Sequence, residues 1–118
     1  MEQSYRSGFK EFIASARNNA WLYYDDIEIY VRKSHRCFKR DIIARTFDVA
    51  NIKVNEQMQG QGIFTHWLTV IEDAARKAGF ECVYVESLLN PRLADFLARR
   101  GYTQKGGIEP PSYYLMLT

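Results

Sequence analysis

A polar hexapeptide, QMQGQG at residues 57–62, stands directly before a segment whose apolar residues recur at helical spacing. A helix that begins there leaves its first amides without intrahelical acceptors and directs the positive end of its dipole at the loop. Such a terminus binds phosphate, and glycine at positions 60 and 62 lets the backbone approach an anion closely. The pattern predicts an anion-binding loop, with a plain turn of the chain as the alternative.

Two common phosphate-loop motifs fit this spacing poorly. A dinucleotide fingerprint would need a third glycine where Thr65 stands, and a Walker loop would need a lysine after its second spaced glycine, which is not there. The loop therefore calls for another phosphate-bearing ligand.

Two carboxylates are candidates for moving a proton. Asp48 shares strand alternation with Ala50, Ile52 and Val54, which predicts a charge on a face that is otherwise apolar. Glu86 is the last residue of the strand 82–86 predicted within the buried run ECVYVES. The alternative for either residue is a strand-end carboxylate that is solvated or paired with one of the many arginines.

The segments that must position these residues alternate between helical and strand patterns. Residues 4–17 and 63–78 have apolar side chains at helical spacing and predict two amphipathic helices, the second ended by Gly79. Residues 21–54 are rich in β-branched and aromatic side chains and predict three or four antiparallel strands.

The C-terminal part continues the alternation. ECVYVES predicts a buried strand, and SYYLMLT predicts a closing strand after glycine and proline breaks. Between them a helix is indicated by Asn90 as N-cap, Pro91 as first helical residue and Gly101 after the last turn.

A strand, a helix and a strand in succession predict a right-handed crossover, with residues 52–54 and 82–86 parallel. The 118 residues suit one domain. The predicted fold is α/β, of the mixed α+β kind, with a mixed central β-sheet flanked by helices.

The order of these motifs resembles that of the GNAT superfamily of acyl-CoA N-acyltransferases. QMQGQG matches the family's QxxGxG/A pyrophosphate loop, and it follows a strand ending in IKV as the family's fourth strand does. NPRLADFLARRGY looks like the family segment in which an Asn starts a helix and a glycine-aromatic pair ends it. The likeness covers residues 45–103 well. The N-terminal third is shorter than usual, so the chain resembles the compact members.

The resemblance implies acetyl-CoA as cosubstrate. Main-chain groups of Ile52 and Val54 would pair with the pantetheine arm, and Asn90 would face that arm or serve as a plain helix cap. The backbone amides implied to hold the diphosphate belong to Gln59, Gly60, Gln61, Gly62 and Ile63.

The implied reaction moves an acetyl group to a primary amine, which must be neutral when it attacks the thioester. Asp48 lies about where some family members carry a base, and Glu86 is the second candidate. Family members often protonate the departing thiolate with a Tyr seven residues beyond the Asn, where this chain has Leu97. Tyr84 or Tyr102 would take over as the acid, or the thiolate would leave without protonation by a side chain. The alternative is a coenzyme A-binding module without catalytic activity.

Composition sets the remaining expectations. With a net charge of +2, 25% charged residues, and no apolar run long enough for a membrane span or signal peptide, a cytoplasmic protein is expected. Cys37 and Cys82 are too far apart for a CxxC site, so we expect packed thiols and no metal. An exposed sheet edge would favour a homodimer.

The segment 32–45 is basic, with Arg32, Lys33, Arg36, Lys39, Arg40 and Arg45 against the single acid Asp41. It predicts a solvated hairpin, with an acidic substrate, an acidic partner or nucleic acid as alternatives. The aromatic residues fall at core spacings, which argues against a nucleic-acid stacking surface. The amine acceptor, whether protein or small molecule, stays open.

Overall fold

The computed structural model describes residues 2–24, 27–39, 42–54, 62–86, 91–105 and 111–117. In chain order the elements are α1 (Glu2–Ala14), β1 (Asn19–Tyr23), β2 (Ile27–Lys39), β3 (Ile42–Val54), α2 (Ile63–Lys77), β4 (Cys82–Val85), α3 (Pro91–Arg99), β5 (Thr103–Lys105) and β6 (Ser112–Met116). This order confirms the predicted mixed α/β class.

The strands form one six-stranded sheet in the order β1-β2-β3-β4-β6-β5. β3 and β4 are parallel, and all other neighbouring strands are antiparallel. The parallel pair follows from α2, which connects β3 to β4 as a crossover. The edges of the sheet are β1 and β5.

One face of the sheet carries the hydrophobic core, and we call it the helical face. Phe9 and Phe12 of α1 pack on Phe47 of β3 with ring centroids 6.1 Å apart in each pair. Trp67 of α2 lies 5.7 Å from Phe9, and Leu97 of α3 is fully buried in the same cluster. Each such side chain contributes roughly 1.5–3 kcal/mol by burial, so the core holds the helices on the sheet.

The opposite face, here called the polar face, carries Asp48 in one cross-strand row with Arg32 on β2 and Tyr84 on β4. Phe38, near the end of β2, contacts aromatic side chains of this face. The ring centroid of Phe38 lies 6.4 Å from that of Tyr84 and 4.6 Å from that of Tyr114 on β6. Side chains of the strands themselves therefore cover this part of the sheet.

The observed α1 and β5 differ from the prediction. α1 ends at Ala14 instead of continuing to residue 17, because the Ser15 hydroxyl donates to the Phe12 carbonyl at 2.7 Å and in turn accepts from the Arg17 amide at 3.2 Å. β5 was not predicted, since a strand of three residues is too short to show alternation.

The predicted parallel pairing of residues 52–54 with 82–86 is wrong in register. Thr46 pairs with Cys82 and Val49 with Val85, so the pairing uses an earlier part of β3. The crossover itself is confirmed, but the sequence did not indicate which part of the long strand β3 pairs with the short strand β4.

The predicted face of Asp48 is also wrong. The register of β2 against β3 pairs Tyr30 with Asn51 and Val31 with Val49, so Ala50 is an extra residue, a β-bulge. A bulge shifts the alternation by one residue. Ile52 therefore packs on the core, whereas Asp48 lies opposite Arg32 on the polar face.

Candidate active site

β4 is shorter than β3, and we call the edge of β3 that lies past the end of β4 the cleft. The last bond between the two parallel strands runs from the Glu86 amide to the Val49 carbonyl at 2.9 Å. β3 continues to Val54, and on its other side Ile52 pairs with Ile29 and Val54 with Ile27 of β2. Within the described ranges no strand pairs with the edge of β3 past Val49, so its main-chain groups there suit an extended ligand.

The β-bulge at Ala50 lies at the start of this open edge. The extra residue of a bulge is left out of the ladder, and the strand bends there. Neither effect can be recognised in the sequence around Ala50, because the bulge has no glycine or proline to mark it.

α2 begins beside the loop that follows β3. Its N-cap, Gly62, is exposed with φ 74° and ψ 12°, and the first intrahelical bond runs from the His66 amide to the Gly62 carbonyl at 3.0 Å. Ile63 is the first helical residue. Among the described residues, no side chain caps this terminus, so the first-turn amides suit an anion. Gln59, Gly60, Gln61 and Asn90 lie outside the described residues.

Four charged side chains cluster on the polar face at the mouth of the cleft. Asp48 accepts from the Arg36 guanidinium at 2.6 Å and from the Thr46 hydroxyl at 2.7 Å. Arg32 pairs with Glu86, and its Nε lies 3.6 Å from Asp48 Oδ2. The two arginines balance the two carboxylates, so the cluster has no net charge.

The Arg36 side chain contacts both Asp48 and the ring of Tyr84. Its guanidinium carbon lies 3.9 Å from the centroid of the Tyr84 ring, and its Nε is buried with no hydrogen-bond partner among the described atoms. Burial alone would lower the pKa of Arg36, but the hydrogen bond and charge of Asp48 outweigh it, so the pKa is raised. Arg36 therefore stays charged and fixes the carboxylate of Asp48.

The two candidate bases differ in access. The Asp48 side chain is 0% exposed, and both of its oxygens accept hydrogen bonds. The Glu86 side chain is 28% exposed, and its amide is anchored to Val49 at the mouth of the cleft. A proton acceptor must reach its donor, which favours Glu86.

Tyr84 and Tyr102, the two candidate acids for the departing thiolate, differ in their contacts. Tyr102 donates to buried Glu72 at 2.7 Å, and Arg100 pairs with the same carboxylate. Burial, followed by the bond to Glu72, raises the pKa of Tyr102 well above its usual range. Tyr102 thus ties β5 and α3 to α2, whereas Tyr84 lies in the charged cluster.

The predicted hairpin is confirmed as the antiparallel pair of β2 and β3, with Arg40 and Asp41 outside the described residues. Its other basic residues, apart from Lys39, have partners within the protein instead of being only solvated. Arg32 and Arg36 belong to the cluster just described. Lys33 donates to the Ser15 carbonyl at 2.8 Å, and the guanidinium carbon of Arg45 lies 4.1 Å from the Phe80 ring centroid. The sequence did not indicate these partners, since all of them are distant along the chain.

The two cysteines also differ from each other. Cys37 is exposed, contrary to the prediction of a packed thiol, whereas Cys82 is buried as predicted. Within the described ranges, no group of three or more His, Cys, Asp and Glu side chains could hold a metal. None of the described helices is long and apolar enough to cross a membrane.

By sequence, no family model and no curated protein matches the chain. By structure, it is similar to a Tyr-to-Phe mutant of the AtaT toxin bound to the C-terminus of the antitoxin AtaR and acetyl-CoA, with a TM-score of 0.61 and 16% identity. That match covers 78% of this chain and 59% of AtaT. The KacTA–DNA complex gives a TM-score of 0.57 and 19% identity over 82% of this chain and 64% of that one.

A GNAT-family acetyltransferase from Listeria monocytogenes 4b F2365 gives a TM-score of 0.61 and 15% identity, covering 78% of this chain and 58% of that one. The chain thus spans about three-fifths of the length of these structures. These likenesses identify a GNAT-type acetyltransferase fold and confirm the predicted resemblance at the level of the fold.

Proposed function

We propose that this chain is an N-acetyltransferase that moves the acetyl group of acetyl-CoA to a primary amine. The observation that carries the proposal is that the edge of β3 past Val49 pairs with no described strand, and that α2, the next element along the chain, starts at Gly62 without a side-chain cap among the described residues. An extended arm along the edge and a diphosphate at the helix start are what coenzyme A would need. AtaT, of the same fold type, is known in complex with acetyl-CoA.

The cofactor contacts are proposed for main-chain groups. Ile52 and Val54 would pair with the pantetheine arm, and Asn90 would face it. The diphosphate would be held by the amides of Gln59, Gly60, Gln61, Gly62 and Ile63. The bulge at Ala50 supports a further contact, because an amide left out of the ladder can donate to the thioester oxygen.

For the base we propose Glu86, ahead of Asp48. Asp48 is enclosed by Arg36, Arg32 and Thr46, so an amine could reach it only by displacing them. Glu86 is partly exposed beside the open edge. Asp48 then acts through the arginines that it holds, as a positioning residue.

In the proposed reaction, Glu86 accepts one proton of the substrate ammonium, and the neutral amine attacks the thioester carbon. The new C–N bond forms as the C–S bond breaks. The nitrogen then loses its second proton, which reaches the departing thiolate through Tyr84 or water, and Glu86 releases its proton to solvent. The modest basicity of the thiolate makes departure without an acid feasible at neutral pH.

Several classes of primary amine are candidates for the acceptor. AtaT has been solved with acetyl-methionyl-tRNAfMet, in which an acetyl group is attached to an aminoacyl-tRNA. An aminoacyl-tRNA therefore joins protein lysines, protein N-termini, polyamines and drug-like amines in the acceptor panel. An edge strand such as β1 would allow a homodimer.

The test has two stages. Acetyl-CoA at 100 times its Kd should stabilise the folded chain by about 2.7 kcal/mol, seen as a raised Tm. Release of the coenzyme A thiol should then depend on added amine, and Glu86→Gln should lower turnover about a hundredfold with recovery at high pH. The exposed variant Glu11→Gln serves as control. Turnover unchanged in Glu86→Gln would remove Glu86 as base.

The rival function is a coenzyme A-binding module without catalysis. It is favoured by Leu97, which occupies the usual position of the acid and is fully buried in the core. A raised Tm with acetyl-CoA but no amine-dependent thiol release from any member of the acceptor panel would support this rival. No change in Tm would contradict both functions.

A further inference from the structure

Lys105 of β5 lies on the polar face, next to the charged cluster. Thr103 pairs with Tyr114, which pairs with Tyr84, so Lys105, two residues beyond Thr103, shares the face of Tyr84. The Lys105 ammonium lies 5.9 Å from the centroid of the Tyr84 ring. Arg36 packs on the same ring, with its guanidinium carbon 3.9 Å from the centroid. Two cations therefore lie against one ring beside the proposed base.

Aromatic side chains border this pair of cations. The Lys105 ammonium lies 5.5 Å from the centroid of the Phe38 ring, and Phe38 in turn contacts Tyr114 at 4.6 Å. Neither Phe38 nor Tyr114 belongs to the core cluster, so the prediction from spacing that the aromatic residues are core residues is wrong for these two. Lys105, Phe38 and Tyr114 are all half-buried. Because apolar rings displace water, a charge held beside them attracts an opposite charge more strongly than in open solvent.

The charges at this place do not balance. The two arginines and two carboxylates of the cluster offset one another, whereas Lys105 forms no ion pair with a carboxylate in the described ranges. The surface around the proposed base thus carries one excess positive charge. An acceptor that brings only an ammonium adds a like charge, and a polyamine adds several. An acceptor that also brings an anion restores the balance.

The anion would lie close to the amine. Arg36 Nη2 lies 4.0 Å from Glu86 Oε2, and the two side chains are 23% and 28% exposed, so one ligand can reach both. Among the described residues, Arg36 donates a hydrogen bond only to Asp48, although a guanidinium has five N–H donors. An amine at Glu86 and an anion at Arg36 would therefore belong to neighbouring groups of one small molecule.

We infer that the acceptor is a free α-amino acid, with its carboxylate bound by Lys105 and Arg36 and its ammonium at Glu86. Both groups of an α-amino acid are attached to one carbon atom, which matches the short spacing between Arg36 and Glu86. The products would be an N-acetyl amino acid, coenzyme A and one proton. An aminoacyl ester or a protein N-terminus lacks this carboxylate and is disfavoured. The inference rests on the proposed function, but binding of the acceptor can be measured without turnover.

The first experiment measures binding to the protein saturated with coenzyme A, which has no acetyl group to transfer. Calorimetry is run with each common amino acid and then with the carboxamide of the one that binds most tightly. The carboxamide has the same skeleton without the negative charge. It should bind at least about tenfold more weakly, equivalent to roughly 1.4 kcal/mol. Butane-1,4-diamine should also bind more weakly than the amino acid, and 2-aminoethyl phosphate tests a phosphate in place of the carboxylate.

The second experiment repeats the measurement with Lys105→Gln. This variant should bind the amino acid about tenfold more weakly and the carboxamide as well as before, with the acetyl-CoA Tm shift unchanged. In the assay of thiol release, it should raise KM for the amino acid about tenfold and leave kcat unchanged, because Glu86 and the thioester are untouched. Lys10→Gln makes the same charge change at an exposed position of α1 and should alter none of these quantities.

Equal affinity for the amino acid and its carboxamide, or an equal loss of both in Lys105→Gln, would overturn the inference. Failure of every amino acid to bind the protein loaded with coenzyme A would do the same, and binding of 2-aminoethyl phosphate alone would indicate a phosphate-bearing acceptor instead. Turnover of aminoacyl-tRNA, a protein N-terminus or butane-1,4-diamine without turnover of any amino acid would also contradict it. Absence of an acetyl-CoA Tm shift in the wild-type protein would count against the proposed function itself.

Discussion

Arg36 and Asp48 form an ion pair across the polar face, with Arg36 Nη2 at 2.6 Å from Asp48 Oδ2. The carboxylate is 0% exposed and the Arg36 side chain is 23% exposed. Asp48 is thereby held among its partners and cannot turn towards solvent. A residue predicted from its position to be a base is thus fixed in an ion-pair network at the site.

Asp48→Asn should destabilise the fold, because it leaves Arg36 without its closest counter-charge. Loss of one partner of a fully buried pair costs roughly 3–5 kcal/mol, and the partial exposure of Arg36 reduces this to about 2–3 kcal/mol. Urea unfolding measures the change. The matched control is Asp73→Asn, which removes an exposed pair with Lys77 and should cost less than about 0.5 kcal/mol. Equal costs would show that the network contributes little.

The same variant tests the two candidate bases against each other. With Glu86 as base, Asp48→Asn should leave the pH of the half-maximal rate unchanged. Glu86→Gln should move that pH upward to the pKa of the substrate amine, so that its rate recovers at high pH. Rates of both variants against pH, normalised to folded protein, decide the matter. A loss of about a hundredfold in Asp48→Asn that recovers at high pH would assign the base to Asp48 instead.

Gly62→Val should weaken coenzyme A binding by at least about tenfold, near 1.4 kcal/mol. Gly62 has φ 74°, a conformation that Val adopts only at a cost of roughly 1–2 kcal/mol, and a branched side chain would stand where the diphosphate approaches. Calorimetry measures the affinity. Gly79→Val, at φ 85° beyond the other end of α2, imposes similar strain far from the loop and should leave affinity unchanged. The same loss in both variants would assign the effect to strain alone.

Leu97→Tyr should cost roughly 1–3 kcal/mol of stability, because the site is fully buried and a larger side chain overpacks it. Leu97→Phe adds the ring without the hydroxyl and isolates the chemical role of the phenol. Since Leu97 lies in the core cluster, turnover should be the same in the two variants. A clearly faster Tyr variant would show that a phenol there reaches the departing thiolate.

Stability should fall as the pH rises above about 9. Burial raises the pKa of Cys82 from 9.0 to about 12, so the unfolded chain loses this proton first. Between those values the folded state binds more protons than the unfolded state, and stability decreases with pH. Unfolding at pH 8 and pH 11 measures the loss, which should be smaller in Cys82→Ala and unchanged in the exposed control Cys37→Ala. Identical losses in all three proteins would exclude Cys82 as a cause.

The class of fold and the elements with strong local patterns could be predicted from the sequence. The apolar stripe of α2, its end at Gly79, and Pro91 with Gly101 around α3 depend on residues close together in the chain, so spacing and backbone preference suffice. The glycine loop was recognised for the same reason. Its residues Gln59, Gly60 and Gln61 lie outside the described part of the structure, and their role stays a prediction.

Contacts between distant strands, by contrast, determine which face Asp48 occupies, where the cleft lies and which partners the basic residues meet. A bulge at Ala50 reverses the alternation, and it arises from pairing between strands that the sequence of β3 alone does not specify. Arg36 binds Asp48, which lies 12 positions further along the chain, and Arg32 binds Glu86, which lies 54 positions further along. Such contacts depend on strand order and register, which are properties of the whole sheet.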